Sequence, residues 1–398
     1  MIESARTISV DIKSLHQQDT HDGVSCFFET TLFPSSSGVV EMIADDGSSV
    51  LLAAAGNIRS FITQRLIDSE IPNSKANLAP ITARVIAYPT GSAFESDMIV
   101  LERAREVDPV LYAKLTDQNR RSVIVLDRRS KTWRAEDTLS LNPDEQEVVV
   151  GPIQSDKAAK ALGEALDDVY ELCRYPKELA LAPNGTPCAY KQMGRCPGAC
   201  DGSETVGAYN ERFTLAVQVA QSGVDSWKQS IAGEIQSESA AMNFEQAQLA
   251  KRRLDQVEKL PADAIGLASS MDEMCCVCIT PGSRKGWAMV WIFNAQGLIP
   301  IVGLNTDFHS GFKNAEGDLC DLISRCQSPM GYSRIQLDRF SLIVRHWMTK
   351  PSRARRRRVT ILDLRQEDWD KKIASAIVSA CTPADPSHED EEHTHITG

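Results

Sequence analysis

The stretch from Cys173 to Cys200 constrains this chain more than any other. Four cysteines, Cys173, Cys188, Cys196 and Cys200, fall within 28 residues, and Pro176, Pro183, Pro187, Pro197, Gly185, Gly194 and Gly198 interrupt the segment around them. A segment so broken and so poor in apolar residues cannot raise a core of its own as a helix or strand. Four soft thiolates on loops can instead converge on one metal centre, which then supplies the folding free energy the segment lacks. Two plainer readings stand beside this one: four unrelated buried thiols, and structural zinc. Zinc sites ordinarily pair two short CxxC knuckles. The gaps here are fourteen, seven and three residues with no CxxC, and that spacing favours a four-thiolate iron–sulfur cluster.

Composition bounds the rest. A chain of 398 residues holds two or three domains with real cores, and 42% hydrophobic with 24% charged residues is ordinary for a globular protein. Eleven cysteines and a start, MIESARTISVDIKSLHQQD, with neither a basic opening nor an apolar run point to a reducing cytoplasm. The longest apolar runs, such as VLLAAAG and WAMVWIF, are too short to span a bilayer, so no membrane partner is expected. A net charge of −11 argues against nucleic-acid binding for the chain as a whole, but local charge matters more than its sum. Arg353 with Arg355, Arg356, Arg357 and Arg358 is the densest charge in the chain. It reads either as a set of salt-sensitive DNA phosphate contacts or as a solvated loop balancing the acidic tail. That tail, 382–398, is expected to be disordered, and its His388, His393 and His395 suggest no designed metal site.

Taken in order, CFFETTLF, VVEMI and SVLLAAA are strand-like, Asp45-Asp46-Gly47 is a hairpin turn, and GNIRSFITQRL places Ile58, Ile62 and Leu66 on one helical face. Another strand, SVIVLD, precedes a polar, acidic connector. The spacing of Ala161, Leu162, Ala165, Leu166, Val169 and Leu172 predicts an amphipathic helix over 151–174 that runs into the first cysteine. Beyond the cysteines, 225–260 reads as a helical hairpin with Trp227, Ile231, Ile235, Phe244, Ala247, Leu254 and Val257 at helical spacing and Asn243 near its turn. Then DAIGLASS, MCCVCIT, AMVWIFNA and LIPIVGL read as strands. Cys275, Cys276 and Cys278 alternate faces of one of these and are expected to pack as small apolar side chains. A helix over 338–350 closes the sequence before the arginine run.

TPCAYKQMGRCPGACDGS resembles the cysteine-rich segment of the UvrC family, the nuclease subunit of bacterial nucleotide excision repair. The seven- and three-residue gaps and the Gly194-Arg195-Cys196 core match, while the proline of the family's APC ending has moved to Pro197. The resemblance implies a 4Fe–4S cluster on Cys173, Cys188, Cys196 and Cys200. Gly151-Pro152-Ile153 resembles the family's entry to the preceding helix. Glu238–Ala247 resembles its UVR motif, a hairpin that docks on a matching hairpin of the helicase subunit UvrB; Lys251-Arg252-Arg253 departs from it. DAIGLA resembles the DxIGLA that opens the family's second nuclease domain after the UVR motif, but the remaining chain is too short for that domain. This makes the architecture closest to the short Cho-like form.

The resemblance also places a GIY-YIG nuclease domain at the N-terminal end, and there the match is degenerate. Val40 and Leu51 stand at its two tyrosines, Ala53 at the glycine, Ala54 at the lysine and Phe61 at the catalytic arginine. Glu102 stands at the metal-binding glutamate, with Pro109, Tyr112 and Asp117 at the pattern after it. Phosphodiester hydrolysis needs a base or activated water, a cation to offset developing charge, and usually a metal. Leucine and phenylalanine supply none of these.

The expected fold class is α+β. It comprises a degenerate GIY-YIG-like domain at 26–130, a cysteine-rich iron–sulfur module at 151–222 and a UVR helical hairpin at 224–260. A mixed α/β domain at 263–380 and the tail at 382–398 complete the chain. The resemblance implies a repair protein that binds DNA or a UvrB-like partner with its nuclease site inactive. The alternative is a working Cho-like endonuclease that makes one incision beside a lesion and uses a divalent metal such as Mg only in that case. A third possibility is an iron–sulfur module recruited outside repair.

Overall fold

The computed structural model describes residues 7–11, 30–66, 76–283, 286–294, 297–305, 332–348, 360–363 and 369–382. The architecture is mixed α/β, built on three four-stranded sheets. The first sheet holds β1 (Ile8–Asp11), β2 (Gly38–Ile43), β3 (Ser49–Ala55) and β4 (Arg84–Pro89) in the order β1-β4-β2-β3, with antiparallel neighbours throughout. The expected turn joins β2 to β3: Asp46 accepts from the Ser48 amide at 2.8 Å, and Gly47 takes the positive φ that the reversal requires. Two departures from the sequence reading occur at this end. Ile8–Asp11 adds an edge strand before the expected start of the domain, and Thr30–Leu32, expected as part of a strand, forms a 3-10 turn. Arg59 fixes that turn by donating to the Phe33 carbonyl at 2.8 Å.

Strand alternation gives the first sheet two working faces. Val40, Met42 and Val85 pack on Ile58, Ile62 and Leu66 of α1 (Ile58–Leu66). Val39 and Leu52 on the other face pack on Ile99, Val100 and Ala104 of α2 (Ala93–Val107). Ser92 caps α2 by accepting from the Glu95 amide, and Asp108 caps α3 (Pro109–Asn119), which opens on Pro109. The opposite side of α2 is also apolar: Phe94, Met98 and Leu101 enter a second core. A helix with apolar residues on both sides belongs between layers, and α2 occupies that place.

The second sheet, in the order β6-β5-β7-β8, contains β5 (Ser122–Asp127), β6 (Thr132–Asp137), β7 (Glu147–Ile153) and β8 (Ser269–Ser270). Here the expected connector is two strands. Edge strand β6, TWRAED, carries charge where an edge tolerates it, and Arg134 spans Glu136 and Glu147. Gly151-Pro152-Ile153 ends β7 rather than opening a helix, and α4 (Asp156–Val169) begins five residues later than expected, at its Ser155 cap. The predicted stripe holds: Leu162, Ala165, Leu166, Val169 and Leu172 are buried against Ile124, Leu126, Val148 and Val150.

The third sheet, in the order β11-β10-β9-β12, holds β9 (Cys275–Pro281), β10 (Trp287–Asn294), β11 (Gly297–Asn305) and β12 (Thr360–Asp363). Residues read as the strand DAIGLASS instead form α10 (Ala262–Ile265) and the two-residue β8. Cys276 and Cys278 face the core shared with α2, while Cys275 faces the other side with Val277 and Ile279. All three are buried, as packing thiols should be. Burial pushes the Cys278 thiol far above its ordinary range. Two helices cover the sheet: α11 (Arg334–Trp347), opened by a Ser333–Gln336 capping box, and α12 (Trp369–Cys381). No helix among the described residues is long and apolar enough to cross a membrane.

Candidate functional site

The four cysteines lie between α4 and α7 (Val206–Ser222), on loops broken by α5 (Pro176–Leu179) and α6 (Ala189–Gln192). The chain leaves α4 through Glu171, which takes a left-handed φ of 49°. The Cys173 amide then donates to the Tyr209 hydroxyl at 3.3 Å, and that hydroxyl donates to the Lys131 carbonyl at 3.1 Å. Further on, the Gly185 amide donates to the Cys200 carbonyl at 2.8 Å. A Cβ there would lie 2.5 Å from the Glu178 carbonyl oxygen, so only glycine fits. Lys191 reaches back to the Pro197 carbonyl. Backbone pairs and one buried tyrosine hold the loops, with Leu179 and Ala199 reaching into the core shared by α4 and α7.

Cys196 and Cys200 are buried, and Cys173 and Cys188 half-buried. Burial pushes the Cys173 thiol up to about 11, and charge on Cys200, Cys196 and Cys188 pushes it the same way. Burial also raises Cys196 and Cys200, each of which feels Cys188. The four thiols thus lie on one loop segment between α4 and α7, near enough for their charges to act on one another. Among the described residues, no three or more His, Cys, Asp or Glu side chains stand in a metal-holding arrangement. The donor set itself is four thiols with no harder ligand, which suits a soft metal centre.

Beside Cys173 opens a cleft of about 450 Å³, walled by Trp133, Asp167, Arg174, Tyr190 and Arg195. The Trp133 ring lies against Gly163, where a Cβ would sit 2.5 Å from it, and its indole N–H donates to Asp167 at 2.9 Å. Burial pushes Asp167 up to about 7, against that hydrogen bond and the nearby Arg174. The Arg174 guanidinium stacks over Tyr190 at 4.3 Å.

The N-terminal layer looks different. Val40 is buried, Leu51 and Phe61 pack around the α1 core, and none of the three can donate or accept a proton. Glu102 is held by two guanidinium groups, Arg339 of α11 at 2.5 Å and Arg105 at 2.9 Å. Arg339 was not anticipated from the sequence, since it lies 237 residues away. Tyr112 also faces α11, donating to Asp338 at 2.5 Å.

A second unanticipated group sits on β2. Glu41, 1% exposed, accepts twice from Arg103 at 2.9 and 3.0 Å and once from the Tyr88 hydroxyl at 3.1 Å. Burial, then the Glu41 charge, pushes Tyr88 up to about 12. One signal was available in the sequence: a lone glutamate within the apolar strand GVVEMI, where a buried carboxylate requires a partner. Tyr88 is thus engaged by Glu41, and Arg59 by the turn before β2.

The hairpin of α8 (Val224–Ala240) and α9 (Phe244–Glu258) forms as expected, with Trp227, Ile231, Ala247 and Val257 buried. Phe244 corrects the expected stripe. It is 68% exposed at the tip beside Met242, 77% exposed, with Leu249 exposed on the same helix. Met242 takes a left-handed φ of 60° at the reversal, which turns the tip outward. Arg353 and Arg355–Arg358 lie outside the described residues, as does the tail from 383 onward.

Residues 115–219, from α3 through most of α7 and including all four cysteines, match the family described as UvrC/Cho excinuclease, middle domain. Two curated relatives, both named UvrABC system protein C, come from Syntrophotalea carbinolica and Christiangramia forsetii. Each is 23% identical over 235 residues, 58% of this chain. The matched region spans only 38% and 39% of those relatives' own lengths. No solved structure gives a significant match. The chain is thus similar to UvrC proteins, with the family likeness falling on residues 115–219.

Proposed function

We propose that this chain is a nucleotide-excision-repair protein of UvrC type that engages DNA and a UvrB-like partner without cutting. The observation that carries the reading is the state of Glu102. A carboxylate shared between Arg105 and Arg339 is already neutralised by fixed cations. The positions that the resemblance assigns to the chemistry of such a nuclease hold Val40, Leu51 and Phe61, which pack in the core on the α1 face of the sheet. Removing one acid–base or charge-stabilising group typically costs about 10²–10⁴ in rate, and here several are absent at once. The degenerate GIY-YIG reading of this layer is supported by its strand order, with the β2–β3 hairpin beside β4 and α2 next in the chain.

Cys173, Cys188, Cys196 and Cys200 would hold a 4Fe–4S cluster, supported by their all-thiol donor set and their place on one loop segment between α4 and α7. Such a cluster supplies folding free energy to the segment and a site for one-electron chemistry. What the chain itself contributes is burial and the hydrogen bonds that hold the backbone around the thiols. The outward tip of the α8–α9 hairpin, with Met242 and Phe244, is the surface for the UvrB-like partner; an exposed apolar group of this kind on a polar hairpin suits docking to another helix pair. The Arg353–Arg358 stretch contributes phosphate contacts whose strength falls with salt.

The test is incubation of purified, cluster-replete protein with lesion-bearing duplex, UvrB and divalent metal, scoring retention and cutting together. Retention without nicking is expected. Metal-dependent nicking that disappears in Glu102→Ala, with the fold intact, would restore the endonuclease reading.

A further inference from the structure

Both ends of the cysteine segment come back to one side chain. Arg212, on α7, donates from Nε to the Tyr170 carbonyl at 2.9 Å and from Nη2 to the Glu171 carbonyl at 3.2 Å. These are the two residues that end α4 and lead into Cys173. The same guanidinium pairs with Glu204, bidentately, one contact being 3.0 Å from Nη2. Glu204 lies four residues past Cys200, and its own amide donates to the Gly198 carbonyl. One turn earlier on α7, Tyr209 takes the Cys173 amide. The Arg212 guanidinium lies 5.6 Å from the Tyr209 ring centroid.

We propose that Arg212 is the positioning residue of the thiol site, a latch that ties the stretch before Cys173 to the stretch after Cys200 and so fixes the first thiol against the other three. The proposal rests on the reading of these cysteines as one metal centre. Its physical basis is preorganisation. Cys173 is separated from Cys188 by fourteen residues containing three prolines, and closing such a loop around a ligand loses chain entropy unless the ends are already held. Planar guanidinium suits the task because its fixed fork of donors meets two carbonyls and a carboxylate at once, which an ammonium on a flexible stem does not. Glu171 is held in a left-handed conformation that a non-glycine residue adopts only when its surroundings impose it; Arg212 supplies one of the bonds that do so. The placement is partly desolvated: burial lowers the Arg212 pKa, while the Glu171 and Cys196 charges act to raise it.

The experiment compares the full chain with Arg212→Gln and Arg212→Lys by two readouts. Co²⁺ titration of reduced, metal-free protein is followed by its thiolate charge-transfer absorbance, and amide hydrogen exchange is measured on the same metal-free protein. Arg212→Gln is expected to weaken Co²⁺ binding by about 10–100-fold, the usual consequence of removing a residue that orients ligands. It is also expected to speed exchange at 170–173 and 201–204 while α4 and α7 stay protected. Arg212→Lys should recover only part of both. Unchanged exchange in Arg212→Gln overturns the latch, as does Co²⁺ affinity equal to wild type. If wild type shows no thiolate absorbance while Arg212→Gln still loosens 170–173, the latch stands as a backbone device and the metal reading falls instead. Loss of protection throughout α4 and α7 would assign Arg212 to general folding and also overturn the proposal. Tyr209→Phe, which keeps the buried ring, should move both readouts in the same direction by less.

Discussion

The N-terminal layer and the cysteine segment solve the placing of reactive groups in opposite ways. In the first, Glu41 and Glu102 are each matched by partners from the chain itself: Glu41 has Arg103 and Tyr88, and Glu102 has Arg105 and Arg339. In the second, four cysteines share one short segment, and two of the sulfurs make long contacts to backbone, Cys173 to the Tyr175 carbonyl at 3.6 Å and Cys200 to the Thr186 carbonyl at 4.0 Å. A region whose groups neutralise one another is complete without a ligand and has little left over for chemistry. A segment that carries four soft donors on loops has the residue types that a metal centre would use, the reading proposed above.

The sharpest way to break this comparison is Cys196→Ser. If the thiols await a metal, the change should abolish iron and sulfide binding and leave 173–205 susceptible to protease, because a structural metal centre contributes on the order of 10 kcal/mol to the segment that holds it. Elemental analysis of anaerobically purified wild type showing one zinc and no iron would overturn the cluster while keeping the contrast between regions.

Next in size is Arg103→Met. It leaves Glu41 charged and buried, and loss of one partner of a buried pair is expected to destabilise by about 3–5 kcal/mol. Urea denaturation measures it. The double variant Glu41→Leu with Arg103→Met should recover most of that loss; if it does not, the pair does more than neutralise itself.

Glu95 tests the comparison from within the N-terminal layer, as a carboxylate that forms no ion pair among the described residues. It is 2% exposed, accepts from the Gly91 amide at 2.9 Å, and burial pushes it up to about 7. A carboxyl whose pKa is raised on folding stabilises fully below its unfolded value near 4.3, and that contribution is lost as pH rises toward 7. Wild type should therefore lose stability over this window, by on the order of 3 kcal/mol at most, at 1.36 kcal/mol per pKa unit. Glu95→Gln should flatten the profile and raise Tm at pH 8, as thermal scans from pH 4 to 8 would show.

The smallest expected effect is that of Glu102→Ala in a nicking assay, which should change nothing measurable. Its stability effect should stay near about 1 kcal/mol, the scale of partly exposed ion pairs.

Local signals were the legible ones. The Asp46-Gly47 turn, the α1 and α4 stripes and the α8–α9 hairpin follow from short-range periodicity and turn chemistry, and their residues packed accordingly. The misreadings share a cause. Edge strand β6 is polar because its partners lie on one side only, Gly151-Pro152-Ile153 completes a strand because β8 arrives from 118 residues later to pair with Gly151, and Phe244 leaves its stripe because the hairpin tip turns outward.

What the sequence by itself determined was the set of groups: four thiols on a segment broken by proline and glycine, and apolar side chains at Val40, Leu51 and Phe61. Those are facts of residue type, and no packing can make a proton acceptor of Leu51 or a cation of Phe61. What only the tertiary structure decided was partnership. That Glu102 meets Arg339, that Glu41 is closed off by Arg103 and Tyr88, and that Arg212 holds both ends of the cysteine segment depend on side chains brought together from distant elements. Charge–charge and hydrogen-bond energies are set by distances of a few ångströms, and for residues far apart in the chain those distances exist only once the layers have packed.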